Sequence, residues 1–172
     1  MRDTKRRYKT VALGGTFDQF HRGHEELLSK AFDLSEKVLI GITSDKLVDS
    51  LGKTHPVEAY SRRASNIKRF LLDRGWARRA EMHRLANPFG PTATRKNLQA
   101  IILTSNTLPN GRRLNRERRR RGLTPLVLHT ITLANAKDGK TISSTRIRNR
   151  EIDREGKILH KRSQAKKNTE ES

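Results

Sequence analysis

One short segment concentrates residues able to do chemistry. Gly14-Gly15-Thr16-Phe17-Asp18-Gln19-Phe20-His21-Arg22-Gly23-His24 holds three glycines, a threonine, an aspartate and two histidines. The paired glycines permit a tight turn and let a ligand touch bare backbone. His21 and His24 are three apart, so at the start of a helix both project from one side of the first turn. Imidazole N–H donors placed there can hold phosphate oxygens and stabilise charge developing on a phosphorus under attack. Gly23 between them leaves room for a nucleotide ring or ribose against the helix. The helix N-terminus adds unpaired N–H groups and a positive dipole, which together favour an anion. Blander readings compete. Each histidine alone suits an exposed helix start. The pair at i, i+3 can also meet a metal, although no third ligand of suggestive spacing is nearby. Asp18 either fixes the loop through hydrogen bonds to backbone amides or helps to hold a metal; the structural role is preferred.

A second cluster, Ile142-Ser143-Ser144-Thr145-Arg146-Ile147-Arg148, follows a glycine-containing loop. Hydroxyls in a first helical turn cap N–H groups or donate to phosphate. Arg148, one turn on, reaches the same anion with a charge-assisted bond. A plain Ser/Thr-capped helix with a surface arginine explains the same residues.

The elements that must position these clusters alternate along the chain. Strands are expected at 8–13, 37–43, 80–85, 99–104 and 125–133. Apolar residues at helical spacing predict helices over 24–34 and 58–73, with Leu27, Leu28, Ala31 and Leu34 facing inward in the first and Ala64, Ile67, Phe70 and Leu71 in the second. Ser44 and Asp45 read as the N-cap of a short helix reaching 51. A further helix is expected over 112–121, and a last one from Ser143 or Ser144 to about 153. Residues 52–57 form a loop and 87–91 a turn cluster. This order implies an α/β, Rossmann-like doubly wound fold, with a mainly parallel five-stranded sheet and helices on both faces. Ligands bind such sheets at the carboxyl ends of the strands, where the strand order reverses. Three loops qualify: 14–24, 43–54 and 133–144.

Composition narrows the class. The 172 residues carry 38 Lys and Arg against 18 Asp and Glu, a formal net charge of +20. The length suits one domain over 1–160, followed by a basic, disordered tail at 161–172. The absence of cysteine excludes disulfides, thiol catalysis and Cys-bound zinc, and suits a cytoplasmic protein. No apolar run approaches the ~20 residues of a membrane helix, so no membrane partner is expected. So basic a chain first suggests nucleic acid. The excess, however, sits largely at the two termini and in 112–121, which holds seven arginines and one glutamate. With two tyrosines, one tryptophan and no basic–aromatic interleaving, a base-stacking platform is not indicated. A nucleic-acid partner is therefore disfavoured, though a non-enzymatic RNA- or DNA-binding protein on this fold stands as an alternative. A monomer is favoured.

Gly15-Thr16-Phe17-Asp18-x-x-His21-x-Gly23-His24 resembles the signature of the nucleotidyltransferases that carry an H-x-G-H motif, and Ile142–Arg148 resembles their I-S-S-T-x-I-R segment. Asn115-Arg116-x-Arg118-x-x-Arg121-Gly122-Leu123, followed by Pro125-Leu126, is similar to the archaeal-type phosphopantetheine adenylyltransferases in particular. The resemblance covers about residues 8 to 155. It implies adenylyl transfer from ATP, with Mg²⁺, to 4′-phosphopantetheine, giving dephospho-coenzyme A and pyrophosphate. Other acceptors in the wider family are nicotinamide mononucleotide, flavin mononucleotide and polyol phosphates.

The resemblance also implies roles. Thr16 orients the nucleophilic phosphate, His24 contacts the α-phosphate region and His21 the transferring group. Lys53 bridges acceptor and α-phosphate, or is a solvated loop lysine. Gly14, Gly15, Phe17 and Gly23 shape the nucleotide site. Ser143, Ser144, Thr145 and Arg148 contact the β- and γ-phosphates, while Arg116 and Arg118 serve the triphosphate from an otherwise solvated helix face. No side chain is assigned to a metal.

Overall fold

The structure is a computed structural model, and it describes residues 6–52 and 55–159. Five strands form one sheet: β1 (Tyr8–Gly15), β2 (Ser35–Thr43), β3 (Ala80–Leu85), β4 (Ala100–Leu103) and β5 (Val127–Thr130). Their order is β3-β2-β1-β4-β5 and every pairing is parallel, so the sheet is wholly rather than mainly parallel. The chain winds outward from β1 to β3, then returns to β4 on the other flank. The strand order therefore reverses between β1 and β4. Lys53 and residues 161–172 lie outside the described residues.

Alternation along β1 divides the core. Val11 and Leu13 face the layer formed by α1 (Arg22–Leu34) and α3 (Tyr60–Asp73), where Leu28, Ala31, Phe32, Ile67 and Leu71 are buried. Ala12 faces the opposite layer, where Leu114 of α4 (Leu108–Arg120) packs with Leu98 and Leu126. The side-chain period of two in a strand produces this split, and burial on both faces explains the unbroken apolar runs of β1 and β2.

The helices begin and end where local chemistry dictates. Ser44 caps α2 (Asp45–Ser50) by accepting from the Leu47 N–H at 3.2 Å. Helix α4 starts four residues earlier than its arginine run suggests, with Pro109 in its first turn, where a missing N–H costs nothing. It stops at Gly122, whose φ of 68° admits the left-handed conformation. There the Leu123 and Gly122 N–H groups return to the Arg118 and Arg119 carbonyls.

Two expected elements are shorter than their sequence pattern. Strand β5 covers four residues, and the Ile131 N–H makes the last bond in register with its ladder, to the Leu103 carbonyl. Helix α5 (Ser144–Arg148) ends well before 153. Arg150 turns to a φ of 56°, and Ile152 pairs antiparallel with Ile158 beneath a small cluster of Ala136 and Ile142.

Candidate active site

The loop after β1 is held in an uncommon conformation from three sides. Phe17 and Gln19 have positive φ values of 57° and 50°, a region that side-chain-bearing residues enter only when their surroundings fix them. The Phe17 ring is buried at 1% exposure, packed beside Gly15 and 5.2 Å from the His24 ring centroid. Asp18, at 2% exposure, accepts the Glu58 N–H at 2.9 Å through one oxygen and pairs with Arg148 through the other. Glu58 in turn accepts the Gln19 N–H at 2.9 Å, and Ser144 donates its hydroxyl to the Asp18 carbonyl at 2.7 Å. Asp18 is thus the knot between the loop, the start of α3 and α5, which is the structural role preferred for it.

His21 and His24 form a reciprocal cap on α1. The Gly23 N–H donates to His21 Nδ1 at 3.1 Å, and the His21 N–H donates to His24 Nδ1 at 3.4 Å. Because each Nδ1 accepts, the ring proton of each neutral imidazole belongs on Nε2. The rings stack with centroids 3.9 Å apart. Burial holds His21 down at about 4, outweighing the nearby Asp18 carboxylate, which pulls the other way, so His21 is neutral near pH 7.

The helix N-terminus itself is not an open anion site. The Arg22 N–H donates to the Arg154 carbonyl at 3.0 Å, the Gly23 N–H to His21 Nδ1, and the His24 and Glu25 N–H groups to the His21 carbonyl. The backbone donors expected for phosphate are therefore spent on the cap. Gly23 has its own reason. A Cβ there would sit 3.1 Å from the His21 ring and 3.7 Å from a Leu133 methyl, so the glycine makes room for the cap as well as for a ligand.

Arg63, which the sequence does not single out, lies directly beneath this corner at 0% exposure. Its Nη1 donates to the carbonyls of Thr16 and Thr43, both at 2.8 Å. Its Nε donates to the Glu58 carbonyl at 2.7 Å, and its Nη2 to Asp45 at 2.8 Å. One guanidinium therefore ties the carboxyl ends of β1 and β2 to the starts of α2 and α3. The only hint in the sequence is an arginine amid the apolar spacing of α3.

Several expected phosphate ligands are occupied otherwise. Ser143 Oγ accepts the Arg146 N–H at 3.3 Å as the N-cap of α5, and Ser144 Oγ is spent on Asp18. Thr145 is exposed. Arg148 pairs with Asp18, yet its Nη1 is buried with no hydrogen-bond partner among the described residues, a donor left open at this corner. Arg118 corrects the sequence reading outright. It is fully buried on the α4 side and gives its donors to the carbonyls of Thr124 at 2.9 Å, Thr92 at 2.6 Å and Arg95 at 3.0 Å. A triphosphate cannot displace those carbonyls without leaving three buried acceptors unpaired. Arg116 is exposed on α4 and lines a recess beside Phe89.

A cleft of about 360 Å³ opens at the reversal point, between α2 and α4 over the carboxyl ends of β1 and β4. Gly14, Gly15 and Thr16 form its floor, Leu47 and Leu51 one wall, and Asn110 and Arg113 the other. Gly111 lets α4 close on the sheet, since a Cβ there would meet Leu103 at 2.5 Å. A larger groove of about 630 Å³ runs between α1 and the end of β5, but it holds none of the motif histidines, glycines or hydroxyls, and its walls mix opposite charges. Among the described residues, no three His, Asp or Glu side chains gather as a metal site, and both oxygens of Asp18 are engaged.

The family model described as cytidylyltransferase-like matches residues 12–150. The chain belongs to the cytidylyltransferase-like family. Three relatives are each named phosphopantetheine adenylyltransferase. That of Methanothermobacter thermautotrophicus is 44% identical over 157 residues, covering 90% of this chain and 92% of the relative. That of Methanopyrus kandleri is 37% identical, covering 86% and 92%, and that of Thermococcus kodakarensis 33% identical, covering 91% and 94%. Among solved structures, a protein of unknown function from Archaeoglobus fulgidus superposes with a TM-score of 0.64 at 25% identity, covering 78% of this chain and 99% of that one. A bifunctional NMN adenylyltransferase/ADP ribose pyrophosphatase from Francisella tularensis gives a TM-score of 0.57 at 18% identity, covering 83% and 41%, a likeness of fold. This cytidylyltransferase-like chain thus aligns over most of its length with these archaeal relatives.

Proposed function

We propose that the protein transfers the adenylyl group of ATP to 4′-phosphopantetheine, giving dephospho-coenzyme A and pyrophosphate. The observation that carries this reading is the 44% identity, over 90% of the chain, to a relative named for that activity. The geometry supports it. Thr16 lines the reversal-point cleft, and the short loop that follows it leads to the His21–His24 corner, so a nucleotide on one side and an acceptor on the other would present their phosphates to each other.

In the reaction, an oxygen of the acceptor phosphate forms a bond to the α-phosphorus. The bond from that phosphorus to the oxygen bridging to the β-phosphate breaks, and pyrophosphate leaves with the electron pair. The attacking phosphate is already ionised, so no general base is needed, and catalysis is positioning plus stabilisation of charge. Thr16 orients the attacking phosphate. The Nε2–H groups of His21 and His24 donate to the oxygens of the transferring group. Arg148 supplies its open Nη1 to the leaving phosphates, with Thr145 beside it. Lys53, in the loop after α2, bridges acceptor and α-phosphate by its loop position. Gly14, Gly15 and Gly23 keep the backbone close to the ligands. Phe17 acts from below by packing the loop, and Ser143 and Ser144 act by fixing α5. Mg²⁺ would serve as the counter-ion of the ATP phosphates; among the described residues no three His, Asp or Glu side chains gather to hold it.

One transferase domain over 1–160, acting as a cytoplasmic monomer, completes the reading; the family match over 12–150 supports it, and no described helix is long and apolar enough to cross a membrane. The test is pyrophosphate release by folded protein with Mg-ATP and a panel of acceptors: 4′-phosphopantetheine, nicotinamide mononucleotide, flavin mononucleotide and a polyol phosphate. Turnover is expected with the first. Folded protein inactive on it, or faster on another acceptor, refutes the reading.

A further inference from the structure

The cleft wall supplied by α4 carries two polar side chains that the catalytic roles do not use, Asn110 and Arg113. Asn110 and Arg113 lie three apart on α4 and so share one face of the helix at the cleft, whereas Thr107, the N-cap residue before them, spends its hydroxyl on Thr104. Five residues of helix place Arg113 about 7–8 Å along the axis from Leu108, the first residue of α4, away from the carboxyl edge of the sheet where the phosphates meet. The opposite wall is apolar, built from Leu47 and Leu51 of α2 with Leu85 and Phe89 above β3. An apolar wall facing the spaced donors of Asn110 and Arg113 fits a long acyclic ligand with a hydrocarbon body and carbonyl acceptors. It suits a planar base or a polyol poorly.

Arg113 stands apart from the other arginines of its helix. Arg118 is consumed by three carbonyls, and Arg120 and Arg121 pair with Glu117. Arg112, Arg116, Arg119 and Arg113 make no side-chain hydrogen bond or ion pair among the described residues, but only Arg113 lines the cleft. Asn110 beside it has an equally uncommitted amide. A guanidinium offers five fixed donors and no acceptor, so its natural complement in an arm without charge is a carbonyl oxygen.

We infer that Arg113, assisted by Asn110, is the residue that reads the amide-bearing arm of the acceptor, remote from the reacting phosphate. The inference rests on the acceptor class proposed above. Loss of a charged donor to a buried carbonyl corresponds to a change of about 10- to 100-fold in affinity. Because the contact is the same in ground and transition states, it belongs in KM rather than kcat.

The experiment compares wild type, Arg113→Ala, Arg113→Lys and the charge control Arg112→Ala on two acceptors. One is 4′-phosphopantetheine and the other a short alkyl phosphate lacking the amides; thermal unfolding verifies each fold. With the full acceptor, Arg113→Ala is expected to raise the acceptor KM at least ~10-fold, with kcat and the KM for ATP within about 2-fold of wild type. Arg113→Lys recovers part of the loss and Arg112→Ala matches wild type. With the alkyl phosphate, wild type and Arg113→Ala converge. An equal penalty on both acceptors assigns Arg113 to the phosphate and overturns the inference, as does a rise confined to ATP or no change at all. Failure of the wild type to use 4′-phosphopantetheine instead removes the proposed function, an outcome visible before any variant is made.

Discussion

Arg63 and Arg118 are both fully buried, one on each face of the same sheet, and they do different work. Arg63 stands on α3 beneath the histidine corner and collects carbonyls from the ends of β1 and β2, together with the Asp45 carboxylate. Arg118 stands on α4, one turn after Asn115, and collects carbonyls from segments preceding β4 and β5. Asn115 completes that second clamp by bonding both the N–H and the carbonyl of Leu126 at 2.8 Å. The first arginine therefore sets the geometry of the loop proposed to meet substrate, while the second sets the packing of an edge of the sheet. A buried guanidinium is defined by whose carbonyls it satisfies, and an arginine-rich sequence does not reveal that. The segment from Asn115 to Leu126, which resembles its archaeal counterparts, is in this fold largely a packing device.

The strongest way to break this contrast is to open the corner that Arg63 supports. His24→Ala removes a donor proposed to act on the transferring group, and kcat should fall about 10²- to 10³-fold with a smaller change in the KM for ATP. An effect confined to ATP binding contradicts that role. Arg63→Ala strands the carbonyls of Thr16, Thr43 and Glu58. Stability should fall by about 3–5 kcal/mol, roughly 10 °C or more in Tm. At a temperature where the variant is folded, kcat should still be depressed at least ~10-fold, because Thr16 has lost its anchor. Arg118→Ala should cost a similar ~2–4 kcal/mol in chemical denaturation while leaving kcat and the KM for ATP of the folded fraction within about 2-fold. A selective rise in the KM for ATP there would restore the phosphate reading of Arg118 and erase the contrast.

A smaller effect comes from acid. His21 has its folded value lowered from 6.5 to about 4, so between those values the unfolded chain binds more protons than the native one. The contribution is present in full above about pH 6.5 and drains away as the pH falls toward 4, up to about 3 kcal/mol. Denaturation at pH 7 and 4.5 should show that loss in wild type, and a smaller one in His21→Asn, whose amide oxygen still caps the Gly23 N–H but does not titrate. Smallest of all is Arg116→Ala, with an effect on the KM for ATP below about 2-fold, since an exposed and unpaired guanidinium contributes little.

Much of the fold was legible because its signals are local. The strand–turn–helix passage through Gly14 and Gly15, the Ser44 cap, the inward face of α1 and the span of β3 follow from residue types at fixed spacing. So did the His21–Gly23–His24 pattern, although its detail came out differently: the imidazoles cap the helix, and the backbone donors are consumed. Where the pattern is continued but the chain is not, the sequence overreached. The last helix ends at Arg148 because Arg150 turns to a positive φ and Ile152 pairs with Ile158, and β5 stops at Thr130 although its apolar pattern runs on to Leu133.

The sequence by itself determined the strand and helix order, the chemistry-bearing loop and the resemblance that names its reaction class. Only the tertiary structure decided which charged groups are structural and which face a ligand. Arg63 reaches Thr16 and Thr43, Asp18 reaches Arg148, and Arg113 rather than Arg118 reaches the cleft. The physical reason is that periodicity is set by neighbours a few residues away. The fate of a buried guanidinium or carboxylate is set by which distant donors and acceptors the fold brings within about 3 Å of it.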